Sequence, residues 1–233
     1  MATAPPLPLT WPAAVPASGV ARRLAPFLAV WLLLQMALPW SWDRDRMLAA
    51  GQRLGGQGPA GVAALQATIA SAQGRPEAAR LQAINRLFNE RIVFAEDIDT
   101  AGQVDHWSSP IELLARGAGD CEDYAIAKYF SLIAAGVPSA RLRMVYVKAD
   151  LGGSVRAHMV LAYYPRPDAE PLILDNLDPE IKPASARRDL SPVFSFNAEG
   201  LWQGTGAQAA GDPVARLSRW RDVLAKARAE GFV

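Results

Sequence analysis

The hexapeptide Gly119-Asp120-Cys121-Glu122-Asp123-Tyr124 holds the chain's only cysteine, set among three carboxylates where a Gly-rich turn gives way to a helical pattern. A lone thiol cannot close a disulfide within its own chain, so it is either a nucleophile or a small core residue. Thiol chemistry needs a base, and the histidines are two, His106 and His158. His158 opens a strand-like run and Asp175 closes the next one. If these runs form a hairpin with His158 and Asp175 directly opposite, the turn must centre between Arg166 and Pro167. The sequence there, Pro165-Arg166-Pro167-Asp168, is a turn by composition. Opposed residues share a face with side chains about 5 Å apart, so Asp175 can hold one ring nitrogen while the other faces Cys121. An ordinary cross-strand polar pair is the alternative. His106 reads as a loop residue, and Asn176 is a second candidate for orienting His158.

The acids beside the thiol need their own account. A helix N-terminus favours a thiolate, but Asp120, Glu122 and Asp123 oppose it. One carboxylate about 7 Å away costs a thiolate roughly 2 kcal/mol at an effective dielectric of about 20. The cluster makes sense around a cation, with Asp120 and Glu122 as ligands. Acidic oxygens suit calcium, whereas zinc would call for a His or Cys cluster that the chain lacks. The alternative is that Asp120 and Asp123 cap the helix and Glu122 is a solvated face. No EF-hand spacing is present.

These residues must be carried by elements, and the hydrophobic spacing supplies them. Gly51 to Gly61 is glycine-rich and reads as a loop or the start of the mature domain. Val62 to Ala72 is weakly helical, and Pro76 to Ile92 is clearly helical, with Leu81, Ile84, Leu87, Phe88 and Ile92 on one stripe. Ser109-Pro110-Ile111-Glu112 predicts a capping box opening a short helix that stops at Gly117 to Gly119. A second helix runs from Cys121 to Ala135, capped by Asp120, with Ala125, Tyr129, Leu132 and Ile133 as its apolar face. Strands follow at Leu142 to Lys148, Ala157 to Tyr164 and Leu172 to Asp175, then an amphipathic helix from Val214 to Ala229. Helices followed by an antiparallel meander make an α+β domain, with the cysteine helix packed on the sheet.

At 233 residues, 51% hydrophobic and 20% charged, the chain suits one globular domain. The net charge of +1, from 24 basic and 23 acidic residues, encodes no bulk attraction to nucleic acid. Residues 1–21 form an Ala/Pro-rich tail read as disordered. Arg22-Arg23 then precedes Leu24 to Trp42, an uncharged run of about nineteen residues, near bilayer-spanning length. Segment 22–42 is therefore expected to be a signal sequence or an anchor, with the body, 43–233, translocated outward. No clean cleavage site follows it, and a buried core helix is the other reading. An unpaired cysteine in an oxidising compartment implies a use for the thiol.

The segment Gly117-x-Gly119-Asp120-Cys121-Glu122-Asp123-Tyr124-Ala125-x-x-Lys128-Tyr129 is preceded by Trp107-x-x-Pro110-x-Glu112 and followed by His158 and Asp175. It resembles the bacterial transglutaminase-like cysteine proteinases of the LapG type over roughly Arg80 to Gly200. The resemblance implies a papain-like, transglutaminase-like fold and a catalytic triad of Cys121, His158 and Asp175. It further implies calcium held by Asp120 and Glu122, periplasmic residence, and cleavage of the N-terminal region of a large surface adhesin that controls biofilm attachment. An inner-membrane cyclic di-GMP receptor is the implied regulator. A transglutaminase or deamidase on the same triad, and a calcium-dependent binding module with a vestigial triad, stand as alternatives. The Cys121 amide is the expected oxyanion donor, with a second donor sought near Trp107.

Overall fold

The computed structural model describes residues 42–206 and 209–232. The expectations for the tail 1–21 and for the apolar run as far as Ser41 lie outside the described residues. No helix among the described residues is long and apolar enough to cross a membrane.

Three helices open the domain: α1 (Arg44–Leu54), α2 (Gly58–Ala72) and α3 (Glu77–Arg91). The stretch expected as a loop, Gly51 to Gly61, is therefore mostly helical. Gly55 and Gly56, at φ 70° and 54°, make the break between α1 and α2, while Gly51, Gly58 and Gly61 serve close packing. A Cβ on Gly58 would lie 2.4 Å from the Gly51 carbonyl oxygen, and one on Gly61 would lie 2.9 Å from Leu114 Cβ, so larger residues would force these helices apart.

A short strand β1 (Val93–Phe94) and a turn of helix, α4 (Asp97–Thr100), lead to α5 (Pro110–Arg116). The predicted capping box is present: Glu112 N donates to Ser109 Oγ and Ser109 N to Glu112 Oε2. Gly117 ends α5 at φ 71°, a left-handed conformation that favours glycine. Strand β2 (Ala118–Gly119) pairs in parallel with β1 and delivers the chain to α6 (Cys121–Ala134). This helix was expected to bury one face. Every residue from Asp123 to Ala134 is buried, because the helix lies between the sheet and the helices α2, α3 and α5.

The sheet has seven strands in the order β6-β5-β4-β3-β7-β8-β9, all pairs antiparallel. Strands β3 (Leu142–Asp150), β4 (Val155–Tyr163) and β5 (Leu172–Leu174) are those the alternation predicts. Strands β6 (Lys182–Pro183), β7 (Leu190–Phe196), β8 (Leu201–Gln203) and β9 (Ala209–Gly211) extend it unpredicted. Pro192 argues against a central strand, and β7 accommodates it where the β3 register shifts, Tyr146 facing Phe194 and Val147 facing Pro192. The C-terminal helix divides at Leu217 into α7 (Pro213–Arg216) and α8 (Ser218–Ala229). Trp220 of α8 packs edge-on to Tyr129 and Phe196, tying the C-terminus to α6 and the sheet. The result is the expected α+β domain with the cysteine helix against the sheet.

Candidate active site

Cys121 is the first residue of α6 and half-buried. It lines a cavity of about 520 Å³ together with His158, Asp97, Asp120 and Glu122, walled by Phe94 and Leu177. His158 sits on β4, and its Nε2 lies 2.8 Å from Asp175 Oδ1. With Nε2 committed to Asp175, Nδ1 is the ring nitrogen left for the thiol.

The route to this pair differs from the expected one. The β4–β5 register sets Leu161 against Leu174 and Tyr163 against Leu172, so the turn centres between Pro167 and Asp168, one residue later than expected. Asp175 does not stand opposite His158; it lies just past the end of β5, level with Val160, and reaches onward past the end of the strand to the ring. The offset amounts to two residues, which preserves the face of the sheet, and the hydrogen bond forms despite it.

Asp175 is almost fully buried. Burial alone would raise its pKa, but the hydrogen bonds and charges of His158 and Arg187 outweigh it and hold the carboxyl at about 2. Asn176 makes no bond to His158, and its Oδ1 is buried without a partner.

The thiol hydrogen-bonds Glu122 Oε2 at 3.0 Å. Burial first, then the charge of Glu122 and the hydrogen bond to it, push the Cys121 thiol well above its ordinary range. Asp120 occupies the N-cap position of α6, yet its side chain caps nothing. Its carboxyl is raised to about 9 by burial and by the charges of Glu122 and Asp123. The third acid of the cluster is Asp97, which the sequence reading did not single out: one oxygen each from Asp97, Asp120 and Glu122 lie within 4.8 Å of one another. Asp97 Oδ1 and Asp120 Oδ1 are buried with no hydrogen-bond partner. Three converging carboxylates, two of them with a buried oxygen that has no partner, fit a hard divalent cation.

Asp123, also considered a cap, turns inward to accept from Ser108 N at 2.7 Å and Ser108 Oγ at 3.1 Å. This fixes the segment before α5 against α6. Trp107, near which a second oxyanion donor was sought, stacks on Phe196 and gives its Nε1–H to Asp105 Oδ1, so its indole is not free to donate into the cavity. His106 does not line the cavity; only its backbone N–H takes part, donating to Asp97 Oδ2.

The model of the bacterial transglutaminase-like cysteine proteinases matches residues 62–188. The chain belongs to this family. Among solved structures, this cysteine proteinase is similar to EGTA-treated LapG of Legionella pneumophila, with 40% identity and a TM-score of 0.70 over 79% of this chain and 97% of that one. It is likewise similar to calcium-bound LapG of the same organism, with 38% identity and a TM-score of 0.69 over 79% and 98% of the two chains. No curated protein matches. At this identity and coverage the transglutaminase-like fold is shared.

Several polar residues of the proteinase that touch the site were not read from the sequence. Arg187 Nη2 donates to Asp175 Oδ2 at 2.8 Å, and the Asp175 carbonyl accepts from Lys128 Nζ at 3.0 Å and from Asn89 Nδ2 at 2.8 Å. Lys128 lies within the motif around the cysteine, and a lysine on the buried side of a helix was the available signal. Asp97 stands in the acidic run Glu96-Asp97-Ile98-Asp99, but nothing local distinguishes it from its neighbours.

Proposed function

We propose that this proteinase is a periplasmic, calcium-dependent endopeptidase that cuts the N-terminal region of a large surface adhesin under the control of an inner-membrane cyclic di-GMP receptor. The observation that carries the catalytic part is the cavity shared by Cys121, the His158–Asp175 pair and three converging carboxylates. Export is supported by Arg22-Arg23 and the apolar run from Leu24 to Trp42. The adhesin and the receptor are supported by the family resemblance.

In the reaction, His158 Nδ1 takes the proton of Cys121 as Sγ attacks the scissile carbonyl carbon, and the imidazolium then passes that proton to the leaving amine. Water, deprotonated by the same nitrogen, releases the acyl group from sulfur. Asp175 Oδ1 holds the Nε2–H throughout and offsets the charge on the ring. The Cys121 amide, at the N-terminus of α6, faces the developing oxyanion. Before attack, the thiol must leave Glu122, its present partner. Asp97, Asp120 and Glu122 would hold calcium, which supplies positive charge beside a thiol otherwise surrounded by negative groups.

The test is incubation with the purified N-terminal region of a candidate adhesin, with and without EGTA. One discrete cut is expected, absent in Cys121→Ala and suppressed by the chelator. A cut that survives Cys121→Ala removes the catalytic reading, and one indifferent to EGTA removes the calcium reading.

A further inference from the structure

Asp175 is restrained more heavily than an acid that steadies one imidazole requires, and two of its restraints are buried basic side chains, Arg187 and Lys128, that form and break no bond. Its Oδ1 accepts from His158 and from Leu177 N, while Oδ2 accepts from Arg187. The same guanidinium forks onto Asp189, Nε at 3.0 Å from Oδ1 and Nη2 at 2.7 Å from Oδ2. A carboxylate with both oxygens engaged cannot rotate about its Cβ–Cγ bond without breaking one of these contacts.

Lys128 is fully buried, its amine donates to the Asp175 carbonyl rather than to any carboxylate, and burial draws its pKa down to about 7. Burying an ammonium without a carboxylate partner costs several kcal/mol, so a lysine here is an expensive means of filling space that a methionine would fill. What it does is tie the acid to the thiol's own helix. Lys128 follows Cys121 by about two turns of α6, and its bond fixes the loop carrying Asp175 to that helix.

We propose that Arg187 and Lys128 are positioning residues that set the imidazole against the thiol: Arg187 locks the rotation of the Asp175 carboxylate, and Lys128 locks Asp175 to the helix bearing Cys121. The inference rests on the cysteine-proteinase reading of the site. Misplacing a reacting pair by about 1 Å can cost on the order of a hundredfold in rate, so removal of either clamp slows thiol chemistry without touching the reacting atoms.

The experiment follows alkylation of Cys121 by iodoacetamide in the full chain with calcium present. The cysteine is the only one in the sequence, so the mass shift reports a single site and no protein substrate is needed. Lys128→Met and Arg187→Met are expected to melt cooperatively and to alkylate about 10- to 100-fold more slowly than the parent. The downfield proton resonance of the imidazole N–H bonded to Asp175 should vanish in Arg187→Met and persist in Lys128→Met. Arg187→Lys, with a single donor nitrogen in place of the planar fork, should recover part of both signals. A folded Lys128→Met protein that alkylates at the parent rate overturns the proposal, whatever Arg187→Met does, and so does an unchanged downfield resonance in folded Arg187→Met. A parent protein whose Cys121 reacts no faster than a cysteine in an unfolded peptide removes the catalytic reading itself, a different failure.

Discussion

Replacing Asp97 by Asn tests the carboxylate cluster with a reversal of sign. The oxygens of Asp97, Asp120 and Glu122 lie within 4.8 Å of one another, and at that separation two ionised carboxylates repel by about 3.5 kcal/mol at an effective dielectric of about 20. Without a cation the cluster avoids part of this by keeping protons: burial first, then the charges of Glu122, Asp123 and Asp97, raise the Asp120 carboxyl to about 9. Asp97→Asn removes one charge while keeping the size of the side chain. In EGTA the variant should therefore be more stable than the parent by about 1 kcal/mol or more, a rise in Tm of at least about 2 °C for a chain of this size.

With calcium the order should invert. At a concentration about 100-fold above Kd, binding adds about 2.7 kcal/mol to the parent, or about 5–11 °C. If losing one of three acidic ligands weakens binding about a hundredfold, the same calcium adds only about 0.4 kcal/mol to the variant, or about 1 °C. Scanning calorimetry in EGTA and in calcium, with titration calorimetry for the affinity, measures both limbs. The reasoning is refuted if Asp97→Asn gains as much from calcium as the parent does, or if it is the less stable of the two in EGTA.

Two further outcomes follow from the packing around Cys121 and the His158–Asp175 pair. Gly119→Ala would place a Cβ 2.4 Å from Asp123 Oδ2 and 2.6 Å from Leu113 Cδ1; it should cost about 2 kcal/mol or more in urea unfolding, and a neutral result would mean that the approach of β2 to α6 is looser than described. Asp175 is held at about 2, below its ordinary 3.8. Its stabilisation is thus full above about pH 4, is lost as pH falls through 2, and is worth about 2 kcal/mol. Asp175→Asn should flatten the stability curve by that amount between pH 4 and pH 2, and an acid limb of parental depth would contradict the assignment.

Signals confined to a few neighbouring residues translated directly into structure. The Ser109–Glu112 capping box and the stop at Gly117 depend on contacts within one turn, and the helix starting at Cys121 was legible for the same reason. Between Gly51 and Gly61 only Gly55 and Gly56 form a turn; Gly51, Gly58 and Gly61 lie in helices, a difference hidden from the sequence because a glycine that breaks a helix and one that lets two helices touch look alike until the second helix is in place. Strand β7 is not legible in the sequence because a proline argues against a central strand, and Pro192 sits beside a register shift in which Val193 of β7 is the extra residue. The His158–Asp175 pair was found from a register that was off by two residues; even slips keep side chains on the same face, so the conclusion outlasted its geometry.

By itself the sequence determined that one thiol and two imidazoles were available for chemistry, that acids crowded the thiol, and that a helix and strands would carry them, since residue identity and local periodicity are properties of the chain alone. Only the tertiary structure decided which acids converge. It brought Asp97 to Asp120 and Glu122, turned Asp123 away to Ser108, and closed Arg187 and Lys128 around Asp175. Those choices depend on contacts between distant segments, whose geometry is set by the packing of α6 against the sheet rather than by any neighbouring residue.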